Sequence, residues 1–304
     1  MEVSWKGVYP AITTKFAGND ELDKDSYLKN LEFQLEAGID GIILGGSLGE
    51  ASTLTNEEKD QLIRWTKDAV GDRIPVIMNI AEQSTREAMN AAARAEALGA
   101  DGLMLLPPMR YKADGMETVR YFKQVAHSIT LPIVLYNNPV DYGILITIDM
   151  FRELEEVENI KAVKESTRDI SNVTRMRNAF GNRFNVLTGV DPLALESLLM
   201  GADGWIAGLV CAFPRETVAI YRLVQAGRYD EARTIYQWFL PLLELDISPK
   251  LVQNIKLAES MVGLGSEYVR EPRLPLTGDE RKTVISVIEK ALEARPVLPD
   301  YLNL

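Results

Sequence analysis

The chain has 304 residues, 46% hydrophobic and 25% charged, the balance of an ordinary globular protein. Its 33 Lys and Arg stand against 44 Asp and Glu, a formal charge of −11, which argues against nucleic acid or an anionic membrane as partner because both repel a net negative surface. With one cysteine, Cys211, the chain holds no internal disulfide and no cysteine metal cluster.

The opening MEVSWKGVYP lacks the apolar core of a secretory leader, and no run of about 18 apolar residues occurs, so a cytoplasmic location is expected. A first strand is expected in GVYPAITT (7–14). A second lies in AGIDGIILGG (37–46), which is echoed by LGADGLMLLP (98–107) and MGADGWIAGL (200–209). Each of the three has a glycine suited to the left-handed position after a helix, then Asp-Gly, then an apolar run without alternation, as a strand buried on both faces requires. Those glycines are 61 and 102 residues apart, about two and four strand-plus-helix units. TNEE at Thr55–Glu58 and STRE at Ser84–Glu87 read as capping boxes opening helices on either side of a third strand, IPVIMNIA (74–81). The single histidine, His127 in QVAHSITLP, falls where an amphipathic helix ends and reads as a helix-terminal residue rather than a catalytic one.

LPIVLYN (131–137), IKAVKES (160–166) and RFNVLTG (183–189) supply the fifth, sixth and seventh strands, and a helix over 213–226 follows the eighth. Strand then helix, eight times, specifies an α/β chain folded as a (β/α)8 TIM barrel over residues 1–228. No glycine-rich dinucleotide fingerprint follows any strand, which argues against an open doubly wound sheet. Residues 229–304 carry helical patterns alone, without a Pro/Ser-rich linker, and are expected to form a C-terminal helical extension packed on the barrel.

Functional side chains of such a barrel stand at the C-terminal ends of its strands. Lys164, in KAVKES, ends the sixth strand in apolar company; burial disfavours its charged form and frees an amine able to attack a carbonyl carbon. Lys161 is a competitor nearer the strand's start. Tyr136 ends the neighbouring strand, where a phenol can relay protons. GGSLGE, after the second strand, has the small residues Gly46 and Ser47 that let backbone N–H groups close on an anion, and Ser47 adds a hydroxyl.

Together these residues resemble the dihydrodipicolinate synthase / N-acetylneuraminate lyase superfamily of Schiff-base aldolases, through GVYPAITTKF, GSLGE, YNNP, KES, VQNIKLA and RLPL, over nearly the whole chain. The separation of Tyr136 and Lys164, 28 residues, follows the superfamily's pattern. The resemblance implies a covalent Schiff base on Lys164, proton relay by Tyr136, and a 2-oxo acid carboxylate held by Ser47 and the amide of Leu48. It implies no metal or organic cofactor, a small-molecule 2-oxo acid or cyclic imino acid as substrate, and a homo-oligomer, commonly a tetramer. Three features of the synthases are replaced: two threonines by Ser47 and Leu48, an arginine after the tyrosine motif by Asp141, and a tyrosine pair after Pro107 by Pro108 and Met109. An acid in place of an arginine reverses the sign offered to a substrate carboxylate. The chain resembles more closely the 1-pyrroline-4-hydroxy-2-carboxylate deaminase branch, in its Gly-Ser-x-Gly loop and its Tyr-Asn-x-Pro run without the arginine, so that deaminase is the expectation, with Asp141 beside the substrate. The alternative is an aldolase that cleaves a 2-oxo-3-deoxy sugar acid. Dihydrodipicolinate synthase and N-acetylneuraminate lyase rank below both, the latter matched after strand seven only at Gly189 and Asp191, which are expected to touch substrate. A keto-acid-binding protein without catalysis is the reading from another class, and the Lys164–Tyr136 pair speaks against it.

Overall fold

The expected strands all form, each shorter than its apolar run. The computed structural model describes residues 1–304, with β1 (Gly7–Pro10), β2 (Ile42–Leu44), β3 (Val76–Ile80), β4 (Gly102–Leu105), β5 (Ile133–Asn137), β6 (Ile160–Glu165), β7 (Asn185–Thr188) and β8 (Gly204–Ala207). They pair in parallel in the order β1-β8-β7-β6-β5-β4-β3-β2. A parallel bridge between Ala11 and Ile43, with Ile12 N donating to Ile43 O at 3.0 Å, closes the ring. The fold is the (β/α)8 barrel with C-terminal helices that the alternation specifies.

The crossovers are α1 (Lys24–Glu36), α2 (Asn56–Val70), α3 (Thr85–Ala97), α4 (Gly115–His127), the single turn α5 (Pro139–Tyr142), α6 (Ile148–Leu154), α7 (Ser171–Phe180), α8 (Ala194–Leu199) and α9 (Pro214–Gln225). His127 is exposed in the last turn of α4, as read. The box at α2 is complete: Glu58 N donates to Thr55 Oγ1 at 3.2 Å and Thr55 N to Glu58 Oε2 at 2.8 Å. The box read at α3 forms only one arm, Glu87 N to Ser84 Oγ at 3.2 Å, because the exposed Glu87 leaves its carboxylate in solvent. No helix is long and apolar enough to cross a membrane.

The three Asp-Gly repeats share one job at the N-terminal rim. Each aspartate accepts from the amide of the strand before it: Asp40 from Val8 N at 2.9 Å, Asp101 from Val76 N at 2.9 Å, and Asp203 from Val186 N at 2.8 Å. Each also pairs with a cation from a helix, Arg222, Lys67 and Arg177 respectively. The glycines before them, Gly38, Gly99 and Gly201, take φ of 85°, 85° and 96°, the left-handed turn read from the sequence.

Apolar side chains fall in two layers, as alternation along closed strands requires. Val134, Ala162, Leu187 and Ile206 fill the barrel, closed below by Trp5 and Tyr9, while Leu135, Val163 and Val186 face the helices. One irregularity sets which face β6 presents. Ile133 pairs with Ile160, both in the outer layer; Val134 pairs with Ala162, both in the inner one. Lys161 is thus an extra, exposed residue, a bulge that shifts the phase of everything after it. Two residues beyond Ala162, Lys164 points into the barrel at its C-terminal end.

After a turn at Gly227 the chain continues as α10 (Tyr229–Leu243), a 3-10 turn (Glu244–Ile247), α11 (Leu251–Met261) and α12 (Gly278–Glu293). Phe213 of the barrel packs edge-on against Trp238 and Phe239 of α10, and the outer apolar layer runs without a break into Leu257, Ala258 and Ile288.

Candidate active site at the C-terminal rim

Register makes Tyr136 and Lys164 direct neighbours on β5 and β6. The Lys164 Nζ lies 4.1 Å from the centroid of the Tyr136 ring. The lysine is 7% exposed, and it forms no ion pair. Burial holds its pKa below the ordinary lysine value, against the opposing pull of Tyr142, Asp246, Asp191 and Asp141. Space for it comes from β7: a Cβ at Gly189 would stand 2.6 Å from Lys164 Cε and 2.3 Å from Ser166 Oγ. The Tyr136 hydroxyl accepts from Asn138 Nδ2 at 3.2 Å, and burial pushes its pKa well above the usual range. Asn138 Nδ2 also donates to Asp141 Oδ2 at 2.7 Å, so Asp141 orients the amide that holds the tyrosine.

The loop after β2 is pinned on three sides. Asn79 Nδ2 donates to Gly45 O at 2.8 Å, and Thr14 Oγ1 to Gly49 O at 2.7 Å. Gly49 has no room for a side chain, since a Cβ would lie 3.0 Å from Ile12 O. Glu50, left-handed at φ 56° and fully buried, accepts from Lys256 Nζ of α11 at 2.5 Å and from Arg270 N at 3.0 Å. Ser47 alone in this loop turns an exposed side chain to the rim, where its hydroxyl bonds to that of Tyr142. The Tyr142 ring stands edge-on to Tyr136, centroids 5.5 Å apart.

These groups surround a solvent-open cleft of about 670 Å³, on which Gly46, Ser47, Leu48, Tyr136, Asp141, Lys164 and Gly189 all border. Asp191 does not. Its buried carboxylate accepts from Trp205 Nε1 at 2.9 Å, Leu209 N at 2.8 Å and Gly208 N at 3.2 Å, which takes up most of its accepting capacity. Asp191, which the sequence places at the substrate, anchors the end of β8 with these bonds. Two charged lining groups escaped the sequence reading: Arg168 and Asp246. Arg168 sits in the exposed turn after β6 at φ 63°, and Asp246 comes from the 3-10 turn after α10. Nothing in a single helical tail signals that one of its acids reaches the barrel mouth. Tyr142 was legible in principle: Pro139 at the first position of α5 and left-handed Gly143 after it fix a one-turn helix that returns Tyr142 toward Tyr136.

The model of the dihydrodipicolinate synthetase family matches residues 4–291. The chain belongs to this family. It is 32% identical over 289 residues to the 4-hydroxy-tetrahydrodipicolinate synthase of Geotalea daltonii, covering 94% of this chain and 98% of that one. It is 34% identical over 268 residues to the synthase of Methanococcus vannielii, covering 88% and 92%. Among solved structures, the 4-hydroxy-tetrahydrodipicolinate synthase of Methylacidiphilum fumariolicum SolV superposes with a TM-score of 0.89 at 34% identity, covering 95% and 97%. The pyruvate complex of the chloride-inhibited enzyme of Acinetobacter baumannii gives 0.91 at 29% identity, covering 95% and 99%. The chain is a lyase-type enzyme of the dihydrodipicolinate synthetase family, whose members use a lysine Schiff base with pyruvate.

These relatives overturn the expected ranking of activities, in which a pyrroline-carboxylate deaminase stood first and the synthase low. The expectation rested on three replaced positions, among them Asp141 standing where an arginine belongs. The cleft does hold a guanidinium, Arg168, brought in by the next strand's loop.

Proposed function

We propose that the chain is a condensing Schiff-base lyase: Lys164 takes pyruvate as an imine, and the enamine formed from it adds to an aldehyde, the reaction type of the synthases it is similar to. The observation that carries this reading is the Lys164 amine, buried, without an ion pair, against the face of Tyr136 in an open cleft. A lysine kept neutral by burial attacks C2 of the oxo acid. One N–H proton passes to the former carbonyl oxygen, a proton delivered by a phenol lets that hydroxyl leave as water and makes the protonated imine, and return of a C3 proton to the phenolate gives the neutral enamine. Ser47 and the Leu48 amide suit the substrate carboxylate, at the edge of the cleft where they stand.

The hydroxyls of Tyr136, Ser47 and Tyr142 supply the proton path. Burial raises both phenols, so each carries its proton near neutrality and works by giving one proton as it accepts another. Both tyrosines belong to one chain, so all three hydroxyls stand within each copy of the homo-oligomer that the family resemblance implies. Arg168 offers the cation for a carboxylate on the aldehyde.

Borohydride reduction in the presence of pyruvate, followed by intact-mass and peptide mapping, tests the reading. The expected result is one reduced pyruvate adduct on Lys164, absent in Lys164→Ala. Wild-type protein that gains no adduct overturns it. Arg168→Ala should raise KM for a carboxylate-bearing aldehyde by about tenfold or more, as loss of a charged hydrogen bond does.

A further inference from the structure

The charges around the cleft are mostly spoken for. Asp191 accepts from three groups at the end of β8, and Asp141 accepts from Asn138. Asp246 differs. It lines the cleft, yet its carboxylate has no hydrogen bond and no ion pair with any other residue. The titratable and charged groups within its electrostatic reach are Asp191 after β7, Lys164 of β6, Tyr136 of β5, Asp141 of α5 and Arg168 of the turn after β6.

The barrel has been cleared for this side chain. A Cβ at Gly208 would stand 2.3 Å from Asp246 Oδ1. Gly208 has φ −100° and ψ −54°, a conformation open to any residue, so its backbone does not require glycine. The remaining reason for a glycine there is room for the carboxylate.

We propose that Asp246 is a specificity-determining residue that recognises the aldehyde substrate, accepting a hydrogen bond from a hydroxyl or ammonium group on its carbon chain. This rests on the reading that Lys164 carries a 2-oxo acid as a Schiff base. Asp246 is half-buried, and burial beside Asp191 and Asp141 pushes its carboxyl well above the usual carboxylate range, so its charged, accepting form needs a donor to offset it. When the aldehyde arrives, Lys164 is part of a neutral enamine and no longer offers an ammonium. The acid then faces two further carboxylates and the single Arg168. A ligand that brings a donor satisfies Asp246; one that brings only methylene groups displaces its water and leaves it unpaired. A site built to hydrogen-bond a substrate group rejects the analogue that lacks it.

The test compares D-glyceraldehyde with propanal, aldehydes of the same carbon number that differ in hydroxyl groups, with pyruvate saturating. The ratio of their kcat/KM values is taken within each protein, so a change in the amount of Schiff base cancels. Wild type should favour glyceraldehyde by about tenfold or more. Asp246→Leu should bring the ratio to within about twofold, and Asp246→Asn, which keeps an acceptor of the same shape and guards against misfolding, should keep part of it. Wild type that treats the two aldehydes alike, wild type that forms the pyruvate adduct but turns over neither, or Asp246→Leu with the wild-type ratio would each overturn the proposal. Absence of any pyruvate adduct is a different result, and it removes the Schiff-base reading beneath.

Discussion

The hydroxyls of Ser47 and Tyr142 are hydrogen-bonded to each other across the barrel mouth, joining the loop after β2 to the single turn after β5. That bond links the expected carboxylate site to the tyrosine pair beside Lys164. Tyr142→Phe is expected to slow exchange of the pyruvate C3 protons in D2O by about a hundredfold, the lower range for a proton-transfer group. Ser47→Ala should weaken pyruvate binding as well, and the double variant should lose less than the sum of the two, because they share one bond. Proton exchange followed by NMR decides it. A Tyr142→Phe protein exchanging at the wild-type rate would remove Tyr142 from the path.

Burial lowers the Lys164 pKa, so the neutral amine is present at lower pH than for a free lysine of 10.5. The initial rate of adduct formation should rise with pH and level off below that value. Asp141 favours the ammonium form, so Asp141→Asn should move the midpoint to still lower pH. Quenching with borohydride at short times across a pH series measures it. A midpoint at the free-lysine value, or an upward move in Asp141→Asn, contradicts the assignment.

Gly189→Ala puts a methyl group 2.6 Å from Lys164 Cε. Something must shift, and the lysine stem is the mobile partner. Adduct formation should slow by more than about tenfold, since about an ångström of misplacement at the reacting group can cost that much and more. Thermal unfolding distinguishes a displaced lysine from a weakened barrel: the first leaves the Tm close to wild type.

Glu50 and Lys256 are both fully enclosed and 2.5 Å apart. Lys256→Met leaves the buried Glu50 carboxylate only the Arg270 amide and Arg273 at 3.7 Å, and the expected cost is about 3 kcal/mol in denaturant unfolding. Glu50→Gln added to it should restore much of the loss, because removing both charges removes the uncompensated one. A double variant as unstable as the single one would show that the pair's packing, rather than its charge, holds the loop.

The barrel was legible because its strands are buried on both faces and therefore spelled as unbroken apolar runs, with Asp40, Asp101 and Asp203 marking equivalent entries. Lys164, Tyr136 and Ser47 were legible because strand ends form the mouth. What one motif at a time does not reveal is which charges meet there. Asp191 looked like a ligand from its place after β7, and only the backbone amides of β8 show why it is occupied. Asp141 suggested an acidic substrate site, yet Arg168 and Asp246 enter from a turn and a tail whose local patterns carry no sign of it. The ranking of substrates failed for the same reason: it weighed replaced positions one by one where a cluster decides.

The bulge at Lys161 gives the length of β6 a meaning beyond pairing. Ala162 and Lys164 face inward because one residue more than the neighbouring strand uses has been spent before them. In that segment insertion and deletion are not graded changes of size but a binary exchange of surfaces: one residue fewer and the amine would lie among the helices, with Val163 turned to the cleft. The chemistry of the mouth is therefore guarded at the opposite end of the strand, at a solvent-facing lysine that never approaches the substrate.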